Sequence, residues 1–128
     1  MAKKLTEEER RFFEEANLCA VSSNGKDGYP RVTMAWVDLD GDDVLLNSTE
    51  TRSWPKNLQR NPRVGLCVFD RNDNNKNVAA VGRVKEMTTE GGWDHIQKLA
   101  RKYGRDSYRG ATDRLIIRVE IERTFDYF

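Results

Sequence analysis

Histidine occurs once in 128 residues, cysteine twice and proline three times. Each scarcity removes a class of chemistry. His95 is the sole imidazole, so a Ser-His-Asp or Cys-His centre could be assembled only around it. There is no Cys-x-x-Cys, and one histidine with two distant cysteines makes a poor ligand set for zinc, so no metal is expected. Cys19 and Cys67 lie in apolar runs and read as reduced, buried thiols rather than a redox pair. No apolar run approaches the roughly 20 residues needed to span a bilayer. The opening MAKKLTEEERR also lacks the apolar stretch of a signal peptide, so a cytoplasmic protein with no membrane partner is expected. Excess charge of one sign is missing as well. Twenty-two basic residues face 21 acidic ones, which argues against a general nucleic-acid coat.

What is present reads as one domain over residues 1–128, mainly β with short helices. Thr6 with Glu9 forms a capping box that opens a helix through about Ala16, with Phe12, Phe13 and Ala16 inward. LCAVSSN (18–24) is a strand, GKDG (25–28) its turn, and PRVTMAWVD (30–38) a second strand of period two. Asp40-Gly41 is a hairpin signal, and DVLLNST (43–49) returns from it. RVGLCVFD (63–70) is apolar enough that burial of both faces is expected. In VAAVGRVKEM (78–87), Gly82 suggests a bulge or a close backbone approach. A helix is expected over about 89–103, with Trp93, Ile96, Leu99, Ala100 and Tyr103 on its apolar face and His95 pointing to solvent. DRLIIRVEIERTF (113–125) is the last strand. Six strands with short hairpin links lack the βαβ alternation of a parallel sheet, so a closed or nearly closed antiparallel barrel is predicted.

The stretch TRSWPKNLQRNPRVGL (51–66) concentrates four cations, Arg52, Lys56, Arg60 and Arg63. Pro55 fits only a first turn and Pro62 ends any helix at Asn61, so the helix is short, about 54–61, with Thr51 or Ser53 as N-cap. Its start follows directly on a strand. Free N–H groups, the positive dipole end, the hydroxyls of Ser48, Thr49, Thr51 and Ser53, and the charge of Arg52 would converge there, with Lys56 one turn on. That combination suits a phosphate; a solvated basic helix is the plain alternative. Arg60 and Arg63 suit the negative end of the helix and read as structural.

The ordered segments PRVTMAWV, DGDDVLLNST and NLQRNPRVGL, followed by VGRVKE, HIQKLARKY and DRLIIRVEIER, resemble the pyridoxamine 5'-phosphate oxidase-like FMN-binding split-barrel superfamily over roughly residues 8–123. They look most like its small flavin/deazaflavin (coenzyme F-420) oxidoreductase branch. The resemblance implies a six-stranded antiparallel split β-barrel of Greek-key type, forming a homodimer with coenzyme F-420 (deazaflavin) or FMN at the subunit interface. By position, Val32, Thr33, Met34, Ala35 and Trp36 would line the flavin ring. Asn47 and Ser48 would contact the ring or ribityl chain. Arg52, Ser53, Trp54 and Lys56 would take the phosphate, and Asn77 would reach across from the partner subunit. Trp36 and Met34 could equally be barrel core. Many relatives carry Lys where this chain has Trp54, which passes the phosphate to Arg52 and Lys56 or lets the indole stack on the cofactor.

A flavin-type cofactor supplies its own redox chemistry, which agrees with a chain that has no catalytic constellation. The first expectation is therefore an oxidoreductase passing hydride between the cofactor and a small organic substrate. The rivals are a non-catalytic split barrel carrying FMN, haem or another tetrapyrrole, and a barrel binding single-stranded nucleic acid through Tyr29, Trp36 and Trp54. Balanced charge argues against the last.

Overall fold

The computed structural model describes residues 2–128. Among these residues three helices and seven strands follow one another: α1 (Glu7–Glu14), β1 (Cys19–Asn24), β2 (Pro30–Ala35), β3 (Asp38–Asp40), β4 (Asp43–Thr49), α2 (Ser53–Arg60), β5 (Arg63–Phe69), β6 (Asn77–Thr88), α3 (Gly92–Lys102) and β7 (Arg114–Tyr127). The strands form one antiparallel sheet in the order β2-β1-β5-β6-β7-β4-β3.

The seventh strand comes from a break in the expected second one. β2 stops at Ala35, and Asp38–Asp40 pairs with β4 instead. β2 and β3 are the two outer strands of the hydrogen-bonded order, yet only Trp36 and Val37 separate them in the chain. The sheet must therefore curl until its edges almost meet, which makes it a split barrel. The seam is clamped from α3. Val37 N–H donates to the Tyr103 hydroxyl (3.0 Å), which itself donates to Asn17 O (2.6 Å), and Lys102 Nζ donates to the carbonyls of Val37 (2.6 Å) and Phe13 (2.7 Å).

The core lies inside this curl. Val21, Val44, Leu46, Val68, Val78, Ile117 and Val119 fill it from alternate strand positions, and Phe13 and Leu58 close it from α1 and α2. The capping box of α1 forms as expected, Thr6 and Glu9 each bonding the other's backbone N–H. Both readings of Gly82 hold. The β6/β7 register slips there, and a Cβ at that position would collide with Glu120 O.

Three sequence-based expectations are corrected. β5 buries Val64, Leu66 and Val68 fully, but its other face is only half covered, its cross-strand neighbours there including the small Ala20, Ser22 and Ala79. Arg52 is the N-cap of α2; Thr51 spends its hydroxyl on Thr49 Oγ1 (3.1 Å), and Ser53 is already helical. His95 is buried, because the inward face of α3 runs through Gly92, His95, Ile96, Leu99 and Ala100, while Trp93 stands 40 % exposed against Tyr108. The face is rotated by about one position from the expected one.

Candidate functional site

Where the sheet edges meet, the chain leaves an open cleft of about 340 Å³. That is within the roughly 300–1,000 Å³ of small-molecule sites. One wall is the end of β2 and the seam, Met34, Ala35 and Trp36; the other is the end of β4, Asn47 and Ser48. Arg52 and Trp54 come from the start of α2, Ile96 from α3, Leu18 from the approach to β1, and Tyr108 and Arg114 from the segment into β7.

Two polar atoms on this lining are buried and have no hydrogen-bond partner: Ser48 Oγ and Trp54 Nε1. Buried polar groups are nearly always paired, so orphans on a cleft wall mark places where a ligand would donate or accept. Arg52 and Arg114 bring two positive charges, and no carboxylate lines the cleft. Burial is the main influence lowering the Arg114 pKa, and the charge of Arg52 adds to it. An anion between them would relieve that strain. No side chain caps the first turn of α2, which leaves backbone N–H groups free beside the same charges.

A chain of hydrogen bonds stiffens the cleft wall. Gly92 makes it possible, since a Cβ there would collide with Arg114 O. The close approach brings α3 down onto β7. Asn47 then donates from Nδ2 to Gly92 O (3.0 Å) and reaches His95 Nδ1 (3.0 Å), while its Oδ1 accepts from Arg114 Nε (2.8 Å). Arg114 Nη1 donates to the Tyr108 hydroxyl (2.8 Å), and its guanidinium lies 4.7 Å from that ring centre. Behind His95, Nε2 lies 3.4 Å from Asp38 Oδ2, too poorly directed for a full hydrogen bond, and Lys98 Nζ reaches the same oxygen at 3.3 Å. Burial opposes ionisation of Asp38, but His95, the Leu39 N–H and Lys98 outweigh it and hold the carboxyl well below the usual range.

The structure thus gathers Met34, Ala35, Trp36, Asn47, Ser48, Arg52 and Trp54 in one place. Trp36 is stacked on Tyr103 (5.2 Å, 12°), so one of its faces is already taken. Trp54 is a core residue as well as a wall. The cleft does not include Val32, which is 70 % exposed, or Thr33, Ser53, Lys56 and Asn77. Ser53 and Lys56 stand exposed on α2. Asn77 begins β6, paired with Phe69 and Tyr127. Arg60 is structural, donating to Asn24 O (2.8 Å) and Asn57 Oδ1 (3.0 Å). Sequence reasoning missed Leu18, Ile96, Tyr108 and Arg114. A lone Arg opening a strand carries no local signal.

A second hollow of about 260 Å³ lies against the stacked rings of Phe12 and Phe128 (5.4 Å). It holds none of the orphaned polar atoms, so the cleft is the stronger candidate.

The family model for pyridoxamine 5'-phosphate oxidase matches residues 5–128. The fold is similar to that of an F420 reductase, with a TM-score of 0.85 at 22 % identity over 94 % of this chain and 98 % of that one. It is similar to HupZ from Group A Streptococcus, with a TM-score of 0.72 at 20 % identity over 95 % and 93 % of the two chains. It is also similar to HutZ, a haem storage protein from Vibrio cholerae, with a TM-score of 0.67 at 15 % identity over 98 % and 96 %. Among curated proteins none matches at a significant level.

Proposed function

Because the chain belongs to the pyridoxamine 5'-phosphate oxidase family, we propose that it is an oxidoreductase that binds FMN or the deazaflavin coenzyme F-420 in this cleft. Hydride passes between that cofactor and a small organic substrate. The observation that carries the reading is the pairing of two guanidiniums lacking a carboxylate with two orphaned buried polar atoms, on a lining that is otherwise apolar or aromatic except for Asn47. Such a site suits a flat ring joined to a phosphate. Arg52, Arg114 and the open turn of α2 would hold the phosphate. Ser48 Oγ and Trp54 Nε1 would meet polar atoms of the chain or ring, and Met34, Trp36 and Ile96 would exclude water from the ring. The cofactor supplies the hydride chemistry; these residues bind and orient it. Their free donors and the residues' cationic charge suit FMN and the deazaflavin alike, and the F420 reductase likeness tilts the choice towards the deazaflavin.

The cleft belongs to a homodimer interface in this reading. Cross-strand register puts two rows on the sheet's outer face. Met34, Ala20, Cys67, Ala79 and Phe125 form one, and Val32, Ser22, Gly65, Val81 and Arg123 the other. Mostly small side chains fill the middle of both rows and larger ones stand at the margins, a largely apolar bed about as wide as five strands. Val32 (70 %), Met34 (48 %) and Phe125 (51 %) are exposed at those margins. An apolar face of this breadth supports association with a second copy. Met34 belongs to both the bed and the cleft, so a partner seated there would wall the cofactor.

Non-catalytic haem or tetrapyrrole carriage is the alternative. Against axial ligation, His95 has Nδ1 on Asn47 and Nε2 against Asp38. Titration of the purified protein with FMN, with the deazaflavin and with haem decides between them. The proposal requires micromolar or tighter binding of one of the first two and turnover with its reduced form. Binding of haem alone would overturn it. Light scattering tests the dimer, and a monomer mass at micromolar concentration would remove the shared site.

A further inference from the structure

The hydrogen-bond chain behind the cleft has only one consistent set of donors. Arg114 Nε can only donate, so the Asn47 atom facing it is the carbonyl oxygen. Asn47 Nδ2 must then spend its two protons on Gly92 O and on His95 Nδ1. His95 Nδ1 is therefore an acceptor, and the ring's proton sits on Nε2, facing Asp38.

We propose that His95 is a positioning residue: through Asn47 it holds Arg114 across the cleft, and protonation of His95 breaks that chain. A proton on Nδ1 would place two donors 3.0 Å apart. Asn47 could turn its oxygen towards the ring only by giving up both Gly92 O and Arg114 Nε. Flipping the imidazole offers no escape, since it presents a C–H to Asn47. Arg114 then keeps only the neutral Tyr108 hydroxyl and is released from its place on the wall. The charged surroundings of the ring are Asp38 from β3, which favours the second proton, and Lys98 on α3 and Arg114 on β7, which oppose it. Lys102, further along α3, acts on Asp38 as well. His95 itself is buried, at 8 % exposure, between Asn47 and Asp38.

The consequence for ligand binding rests on the reading of the cleft as an FMN or deazaflavin site; the positioning itself does not, and the two are tested separately. In the ligand-free protein, 15N side-chain NMR from pH 5 to 8 should show the Asn47 carboxamide and the Arg114 Nε–H moving together with the His95 ring. In His95→Asn, whose Oδ1 takes the place of Nδ1 as acceptor, both signals should stay still. His95→Leu should displace them at every pH. FMN affinity is then followed by flavin fluorescence over the same range. The phosphate itself takes up a proton near pH 6, and that part is common to all variants. Wild type should lose about tenfold more affinity than His95→Asn between pH 8 and pH 5, the worth of one charge-assisted bond. His95→Asn should match wild type at pH 8. Asn47 and Arg114 signals that ignore the His95 titration, or an equal loss of affinity in wild type and His95→Asn, would overturn the proposal. Coupled NMR signals without FMN or deazaflavin binding at any pH would uphold the positioning and sink the cofactor reading instead.

Discussion

Glu9 and Ser48 are almost equally buried, at 1 % and 3 % exposure, and they are treated in opposite ways. Around Glu9, where α1 meets β7, both carboxylate oxygens are answered. Oε1 accepts from Lys3 Nζ (2.7 Å) and Thr6 N–H (2.8 Å), and Oε2 accepts from Thr124 Oγ1 (2.6 Å). Ser48 Oγ, on the cleft wall, has no partner at all. A buried polar group that is fully satisfied holds the architecture together. One left open costs stability, and the cleft lining is where this chain carries that cost twice. Burial alone therefore does not separate structural from functional polar residues; satisfaction does.

The widest gap between the two regions should appear in stability. Glu9→Ala strands Lys3, Thr6 N–H and Thr124, and should destabilise by about 3 kcal/mol in chemical denaturation, as for other broken buried ion pairs. FMN affinity of the folded fraction should not change. The acid side of the stability curve reads the same carboxylate. Burial opposes its ionisation, but Lys3, Thr124 and Thr6 more than offset this and draw its pKa down to about 2, from a usual 4.5. A depressed carboxylate stabilises above its unfolded pKa, so its contribution is full above pH 4.5 and is lost as pH falls towards 2.

Arg114→Ala tests the cleft. Loss of a charged donor should weaken FMN binding by about ten- to 150-fold, while stability falls by only about 1–2 kcal/mol as the buried Asn47 Oδ1 loses its donor. A large loss of stability with unchanged affinity would make Arg114 a strut like Glu9 and remove the contrast. Ser48→Ala is the more discriminating change, because it deletes a group that has nothing to lose in the free protein. Stability should stay level or rise by less than about 1 kcal/mol, and FMN affinity should fall about fivefold, one neutral hydrogen bond. A stability loss comparable with that of Glu9→Ala would show that Ser48 is satisfied and not open.

The smallest expected effect is at Asp126, on the rim of the Glu9 cluster. Burial and the neighbouring Glu9 push its pKa up to about 6 from a usual 3.8. The sign is opposite to that of Glu9. A raised carboxyl stabilises below its unfolded pKa, so this contribution is complete below 3.8 and is lost as pH rises through 6. The cluster should therefore favour the fold most near pH 4, between about 3.8 and 4.5, and less on either side. Asp126→Asn should flatten the decline between about pH 4 and 6 in thermal unfolding and leave the acid limb, which belongs to Glu9, in place. A decline that persists in the variant would assign it to other groups.

The Glu9 cluster was half legible. Thr6 and Glu9 announce a capping box by spacing alone, but nothing local says that Glu9 would also meet Lys3 and Thr124, 115 residues away from it in the latter case. The cleft was legible to the same degree. Met34, Asn47, Ser48 and Arg52 sit at strand ends and a helix start, positions where backbone geometry exposes side chains, and the ordered segments carried the family. Arg114 and Tyr108 were not legible. Arg114 reaches Asn47 only because Ile116 pairs with Asn47, which puts Arg114 diagonally beside it on the same face. The rotation of α3 was lost for a related reason. Trp93 and His95 both fit the edge of a helical apolar stripe, and the contact of Gly92 with Arg114 O chose between them.

By itself the sequence determined the element types, the split-barrel family, the start of α1 and most of the cleft's near wall, since these follow from periods, caps, turns and prolines that act within a few residues. Tertiary structure alone decided that the second strand would break at Trp36–Val37, that His95 would be buried, and that Arg52 and Arg114 would face one cleft without a carboxylate. Those outcomes depend on which strand edges meet when a seven-stranded sheet curls, and on how closely α3 can approach β7 over a glycine. Such contacts join residues far apart in the chain, so no local pattern records them.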